Sequence, residues 1–133
     1  MKVKLFEQFN MDVNRSDIGV NILEVLSQIQ IYHWQTDKYG LHKTFDDFSG
    51  KFKDNGDRLL EVIQGKYGRI LLDNKTSLKI ENISDLSPEK YIDEKIKIFN
   101  NYRKEYNKDE EISAILDEIN AEFEQLKYLM TFE

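Results

Sequence analysis

The sequence predicts an all-α protein, a four-helix bundle with one long crossover connection between its second and third helices. Three observations carry this. A single proline and six glycines in 133 residues leave long uninterrupted segments. Apolar residues in those segments recur at threes and fours rather than alternating. The segments fall as two helices, about twenty residues of broken pattern, then two more helices. The length suits one domain, residues 1–133, with one core.

The first helix is expected to begin at Ser16 or Asp17, either of which can cap it, and to end before Gly40. Ile18, Ile22, Val25, Leu26, Ile29 and Tyr32 form its apolar face. A second helix runs from near Leu41 to about Tyr67, with Phe45, Phe48, Phe52, Leu59 and Ile63 on one side. Gly50 and Gly56 lie inside it, each costing about 1 kcal/mol against alanine, and so mark places where something packs closely.

From Gly68 to Leu86 the pattern breaks into short apolar runs separated by turn residues, and reads as a connection. Ser87-Pro88 is a cap followed by a proline in the first turn, after which Ile92, Ile96, Phe99, Tyr102 and Tyr106 mark a third helix. Asn107-Lys108-Asp109 offers a turn and a cap for a fourth. Its face is Ile112, Ile115, Leu116, Ile119, Phe123, Leu126 and Met130. Two helices, a crossover and two helices is the wiring of ferritin-like bundles.

Composition narrows the chemistry. The absence of cysteine removes disulfides, thiolate metal sites and cysteine nucleophiles together, leaving His, Asp and Glu for any metal work. Twenty-five acidic against 19 basic residues give −6, which suits cations better than a phosphate backbone. Only Lys2 and Lys4 precede Phe6, with Arg15 further in, so DNA compaction by a basic tail is disfavoured. No stretch approaches the ~20 apolar residues of a membrane span, and Met1 to Phe9 has no apolar leader core. A soluble protein of the cytoplasm, or of the host cytoplasm or virion if virus-encoded, with no membrane partner, is the expectation.

Both histidines, His33 and His42, fall around the turn between the first two helices. Asp46, Asp57 and Glu61 follow His42 at i+4, i+15 and i+19. At roughly 100° per residue the four side chains occupy one stripe beside the phenylalanine face. Along the axis, Asp46 and Asp57 are about 16 Å apart, so one chain cannot bring both pairs to one ion. A second copy can. Two antiparallel copies of this helix crossing near residues 51 and 52 place Asp46 opposite Asp57 and His42 opposite Glu61, making two identical sites. The same operation sets Gly50 against Lys53 of the other copy.

His33-Trp34, His42 with Asp46, and Asp57 with Glu61 resemble the ferroxidase signature of the DNA-protecting mini-ferritins, the Dps branch of the ferritin-like superfamily. The likeness is closest over residues 22–64. In a chain about one-fifth acidic, three acids at set offsets from a given histidine arise by chance roughly once in 150 trials. The turn from Gln35 to Leu41 is about three residues shorter than family members usually have, and Lys43 stands where they often carry an acid.

The resemblance implies a ferroxidase that binds Fe(II) at a two-fold dimer interface, oxidises it with peroxide or oxygen, and sequesters Fe(III). His33, His42 and Asp46 would come from one subunit, Asp57 and Glu61 from its mate. Trp34 would lie close to the iron, and dimers could build a larger ring or shell. Imidazole plus carboxylate with no thiolate suits Fe(II) or another hard-to-borderline divalent ion chemically. The alternative is a non-catalytic ferritin-like bundle serving assembly, as a shell or virion component, with the stripe as a polar seam. Glu118, Glu122 and Glu124 read as a solvated face of the fourth helix, and Tyr91, Tyr102 and Tyr106 as packing residues.

Overall fold

The structure, a computed structural model, describes residues 6–132, with side chains from Arg15 onward. Lys2 and Lys4 lie outside the described residues. Four helices and no strand occur among those described: α1 (Phe6–Gln35), α2 (Tyr39–Tyr67), α3 (Pro88–Glu105) and α4 (Glu110–Leu129). None of them is long and apolar enough to cross a membrane.

The start of α1 differs from expectation. The helix begins ten residues before Ser16, and neither Ser16 nor Asp17 caps it. Both side chains instead serve tertiary contacts from within the helix. The Ser16 hydroxyl donates to the Leu71 carbonyl at 2.8 Å, and the Asp17 carboxylate accepts from the Tyr102 hydroxyl. With no Pro or Gly between Phe6 and Ile18, nothing local stops the helix from extending.

The later helix starts follow local chemistry. Ser87 caps α3, its side chain accepting from the Lys90 N–H at 3.3 Å, with Pro88 in the first turn. Asp109 caps α4 by accepting from the Ile112 N–H at 3.2 Å. The cap is tied to the end of α2, because Lys66 donates to Asp109 at 2.9 Å and to Glu111 at 2.7 Å.

Contacts give each segment its direction. The α1–α2 turn makes an antiparallel hairpin. Residues 68–87 then travel along α1 in its own direction: Leu71 meets Ser16, Glu81 exchanges two 2.8 Å bonds with Gln28, and Ile83 meets Gln35. The Tyr32 hydroxyl closes the series on the Leu86 carbonyl at 2.9 Å. Helix α3 returns antiparallel to α1, with Lys95 at Glu24 and Tyr102 at Asp17. Helix α4 is antiparallel to α2, with Asn55 at Glu122 and Lys66 at Asp109.

The expected apolar faces meet in one core. Ile18, Ile22, Val25, Ile29 and Tyr32 from α1 pack with Phe45, Phe48, Phe52, Leu59 and Ile63 from α2. Phe99 and Phe123 carry the stack across to α3 and α4, with ring centroids 6.0 and 5.5 Å from Phe52. Gly56 marks a close approach, since a Cβ there would lie 2.9 Å from the γ2 methyl of Ile22. Gly50 has nothing within 4 Å of the same position and faces outward.

Tyr91, Tyr102 and Tyr106 are buried, as packing residues should be. Burial pushes the Tyr91 and Tyr102 phenols well above their usual range, and that of Tyr106 to about 12, so all three are neutral in the core. Glu118 and Glu124 are exposed, but Glu122 leaves the solvated face. It turns toward α2 and accepts from the Asn55 side-chain amide at 2.6 Å.

Candidate metal centre at the first helix turn

His33 lies two residues before the end of α1, and His42 lies in the first turn of α2. Both are half-buried. Their rings stack, with centroids 3.8 Å apart and planes 16° from parallel. Each reaches past the other to the opposite backbone: His33 Nδ1 bonds the His42 carbonyl oxygen at 2.6 Å, and His42 Nδ1 bonds the His33 carbonyl oxygen at 2.7 Å.

This exchange fixes the tautomer. A carbonyl oxygen can only accept, so each Nδ1 must carry the proton, and in the neutral ring Nε2 keeps the lone pair. Metal-ligating histidines are commonly held this way, with one ring nitrogen donating to a carbonyl and the other free to bind. The His33 carbonyl is also one of the last four of α1, which lack ordinary helical partners, so His42 caps that helix.

Asp46, Asp57 and Glu61 are all exposed on α2, beside its buried phenylalanine face. The stripe expected from the spacing is therefore on the outside of the bundle. Asp57 pairs with Lys53 one turn back, at 2.9 Å between two well-exposed side chains. Among the described residues no three His, Asp or Glu side chains gather closely enough to hold an ion within one chain. His33 and His42 are brought together. Asp57 and Glu61 stand one turn apart on α2, but Asp46 is not brought to them, consistent with the ~16 Å axial separation of Asp46 and Asp57.

Beside the stripe lies an open groove between α1 and α2, lined by Leu26, Ile31, Trp34, Ser49, Lys53 and Ile80. Trp34 is 67% exposed and so is not a core anchor in the single chain. At the turn itself the Tyr39 ring lies 6.2 Å from the His42 ring, tilted by 21°, and the Lys43 ammonium sits 5.4 Å from the Tyr39 centroid. Sequence reasoning missed Tyr39. Its position three residues before His42 on one helix was the available signal.

Arg15, the third basic residue considered for DNA, is 7% exposed and lies over the Tyr67 ring at 5.6 Å. It is a packing residue of the α1–α2 end rather than part of a basic surface.

No curated protein and no solved structure matches the chain. Residues 33–130, from His33 through Met130 just past α4, match a family model and include all five candidate ligands. The match spans 98 of the 133 residues, and the chain belongs to that family, a family of unknown function (DUF5856).

Proposed function

We propose that this protein is a Dps-like ferroxidase of the ferritin-like type, binding Fe(II) between two copies of the chain and sequestering it as Fe(III). The observation that carries the reading is the stripe of half-buried His42 and exposed Asp46, Asp57 and Glu61 on one helix, in two halves too far apart to share an ion within a chain. A two-fold crossing of α2 near residues 51 and 52 joins the halves.

The wiring supports the same reading. Helix α2 and helix α3 run in the same direction, and residues 68–87 return along α1 to make that possible. A single long crossover of this kind is the ferritin-like arrangement. The apolar groove beside the stripe, with the exposed Trp34, gives the second copy something to cover.

In each site His42 and Asp46, with His33 beside them, form one half, and Asp57 and Glu61 of the second copy form the other. Asp46 opposite Asp57 sets like charges together at the interface, an arrangement that a divalent cation relieves. Iron is the substrate. Two Fe(II) ions each give one electron to hydrogen peroxide, the O–O bond breaks, and two protons complete two waters. The chain's carboxylates stabilise the resulting Fe(III), a harder ion with greater affinity for oxygen ligands.

The alternative is a non-catalytic bundle whose α2 stripe is a polar seam for assembly. The Lys53–Asp57 pair favours it, since it neutralises Asp57 without any metal. Anaerobic Fe(II) titration followed by peroxide separates the two. The ferroxidase reading expects Fe(II) uptake and a ferric absorbance that is lost in Asp57→Ala/Glu61→Ala; no uptake, or equal rates in both proteins, leaves the assembly reading.

A further inference from the structure

The two imidazoles of the turn cannot share one ion as they stand. A ligating nitrogen directs its lone pair in the ring plane, and a metal sits about 2 Å from it. The His33 and His42 planes are 3.8 Å apart at the centroids and tilted by 16°, so they converge only roughly 13 Å away, far beyond any coordination distance. Turning either ring to converge on the other breaks its Nδ1 bond to the opposite carbonyl.

We infer that His42 is the sole imidazole ligand of each ion, and that His33 is a positioning residue that holds the His42 ring in its binding orientation. This rests on the metal-site reading given above. Half-buried His42 shares its side of α2 with exposed Asp46 one turn further along, the spacing at which two side chains on a helix meet. His33 has no such companion on α1, where Ile29 and Gln30 stand one turn back. Its ring covers one face of His42 and its Nδ1–H grips the His42 carbonyl, which together restrict how the ligand ring can turn.

The test loads the whole protein with Cu(II) below one equivalent and counts coordinated imidazoles by pulsed EPR. Cu(II) binds imidazole avidly and takes two where two converge, so a count of one is a demanding result. Wild type is expected to show one imidazole per ion. His33→Ala keeps that count and weakens binding about 10- to 100-fold, the usual loss for a residue that orients a ligand. His33→Phe, which keeps a stacking ring, recovers part of the affinity. His42→Ala loses the imidazole signature.

Two imidazoles per ion in wild type, or loss of the signature in His33→Ala with retention in His42→Ala, overturns the inference while leaving a metal site in place. A wild-type protein that takes up no Cu(II) and no Fe(II) overturns the site itself and this inference with it. Circular dichroism of each variant separates lost binding from lost folding.

Discussion

Replacing Gly19, Gly50 and Gly56 of the α1–α2 pair by alanine, one at a time, tests how closely the two helices meet. In a helix interior the change should stabilise by up to about 1 kcal/mol, through backbone entropy. At Gly50 nothing lies within 4 Å of the added Cβ, so that gain is expected in the monomer. At Gly19 the added carbon would lie 2.9 Å from the Ile70 δ1 methyl, the tip of a flexible side chain, which can turn aside. At Gly56 it would lie 2.9 Å from the Ile22 γ2 methyl, with two more Ile22 carbons at 3.6 and 3.7 Å. Ile22 is β-branched and 3% exposed, so neither its rotamer nor its surroundings yield easily. Overpacking of this kind costs about 1–3 kcal/mol, which exceeds the entropic gain. Thermal and urea unfolding should therefore rank Gly50→Ala above Gly19→Ala above Gly56→Ala. The net loss of up to about 2 kcal/mol should make Gly56→Ala melt below wild type by up to roughly 8 °C. A Gly56→Ala protein as stable as Gly50→Ala refutes the close α1–α2 approach. Because the proposed crossing also sets Gly50 against Lys53 of the other copy, Gly50→Ala should weaken self-association while stabilising the chain, which sedimentation reads separately.

Other outcomes follow from the polar contacts. Lys95→Met strips the buried partner from Glu24 and Asn21 and should cost about 3–5 kcal/mol in urea unfolding, whereas Lys95→Met/Glu24→Leu should recover much of it. Burial pushes the Glu122 carboxyl up, against the opposing Asn55 hydrogen bond. The folded protein therefore holds that proton more tightly than the unfolded chain, and ionised Glu122 is a penalty above its folded pKa. Glu122→Gln should be more stable than wild type at pH 7, with the advantage fading as pH falls toward the ordinary glutamate range. Asp109 behaves oppositely. Burial pushes it up, but Lys66, the Ile112 N–H and the Tyr67 hydroxyl outweigh that and hold it below the usual range. Its stabilisation is present above the ordinary aspartate pKa and is lost as pH falls through the lower folded value, so Asp109→Ala should flatten the acid limb of the stability curve. At neutral pH that variant also loses the α4 cap, at about 0.5–2 kcal/mol.

The parts of the fold legible in the sequence are those set by local chemistry. Ser87-Pro88 and Asp109 start α3 and α4 because a side-chain oxygen and an N–H three residues on decide the matter alone. The core faces followed from helical spacing. Where side chains serve distant partners, local reading failed: Ser16 and Asp17 have the chemistry of caps, but they bond Leu71 and Tyr102, more than fifty residues away. The course of residues 68–87 was equally hidden, since its backbone is satisfied by Gln28 and Gln35 of α1 rather than by any pattern of its own. A glycine inside a helix implies close packing at Gly50 and Gly56 alike, but only the structure separates them, placing Ile22 at Gly56 and nothing at Gly50.

The candidate site divides the same way. The outward stripe of Asp46, Asp57 and Glu61 was readable because a helix converts spacing directly into direction. The clasp of His33 and His42 was not, because it depends on how a three-residue turn brings the two helices together. That turn makes the rings stack rather than converge, which gives the two histidines different parts to play.

The central claim, a site shared between two chains, is tested most directly by complementation. One variant carries His42→Ala/Asp46→Ala and the other Asp57→Ala/Glu61→Ala; each alone should be inactive in peroxide-driven Fe(II) oxidation. Refolded together, mixed dimers rebuild one intact site from the undamaged half of each chain, so an equal mixture should recover about a quarter of wild-type activity. Two folded, associated variants that remain inactive on mixing, or either variant fully active alone, contradict a site built across the two-fold axis.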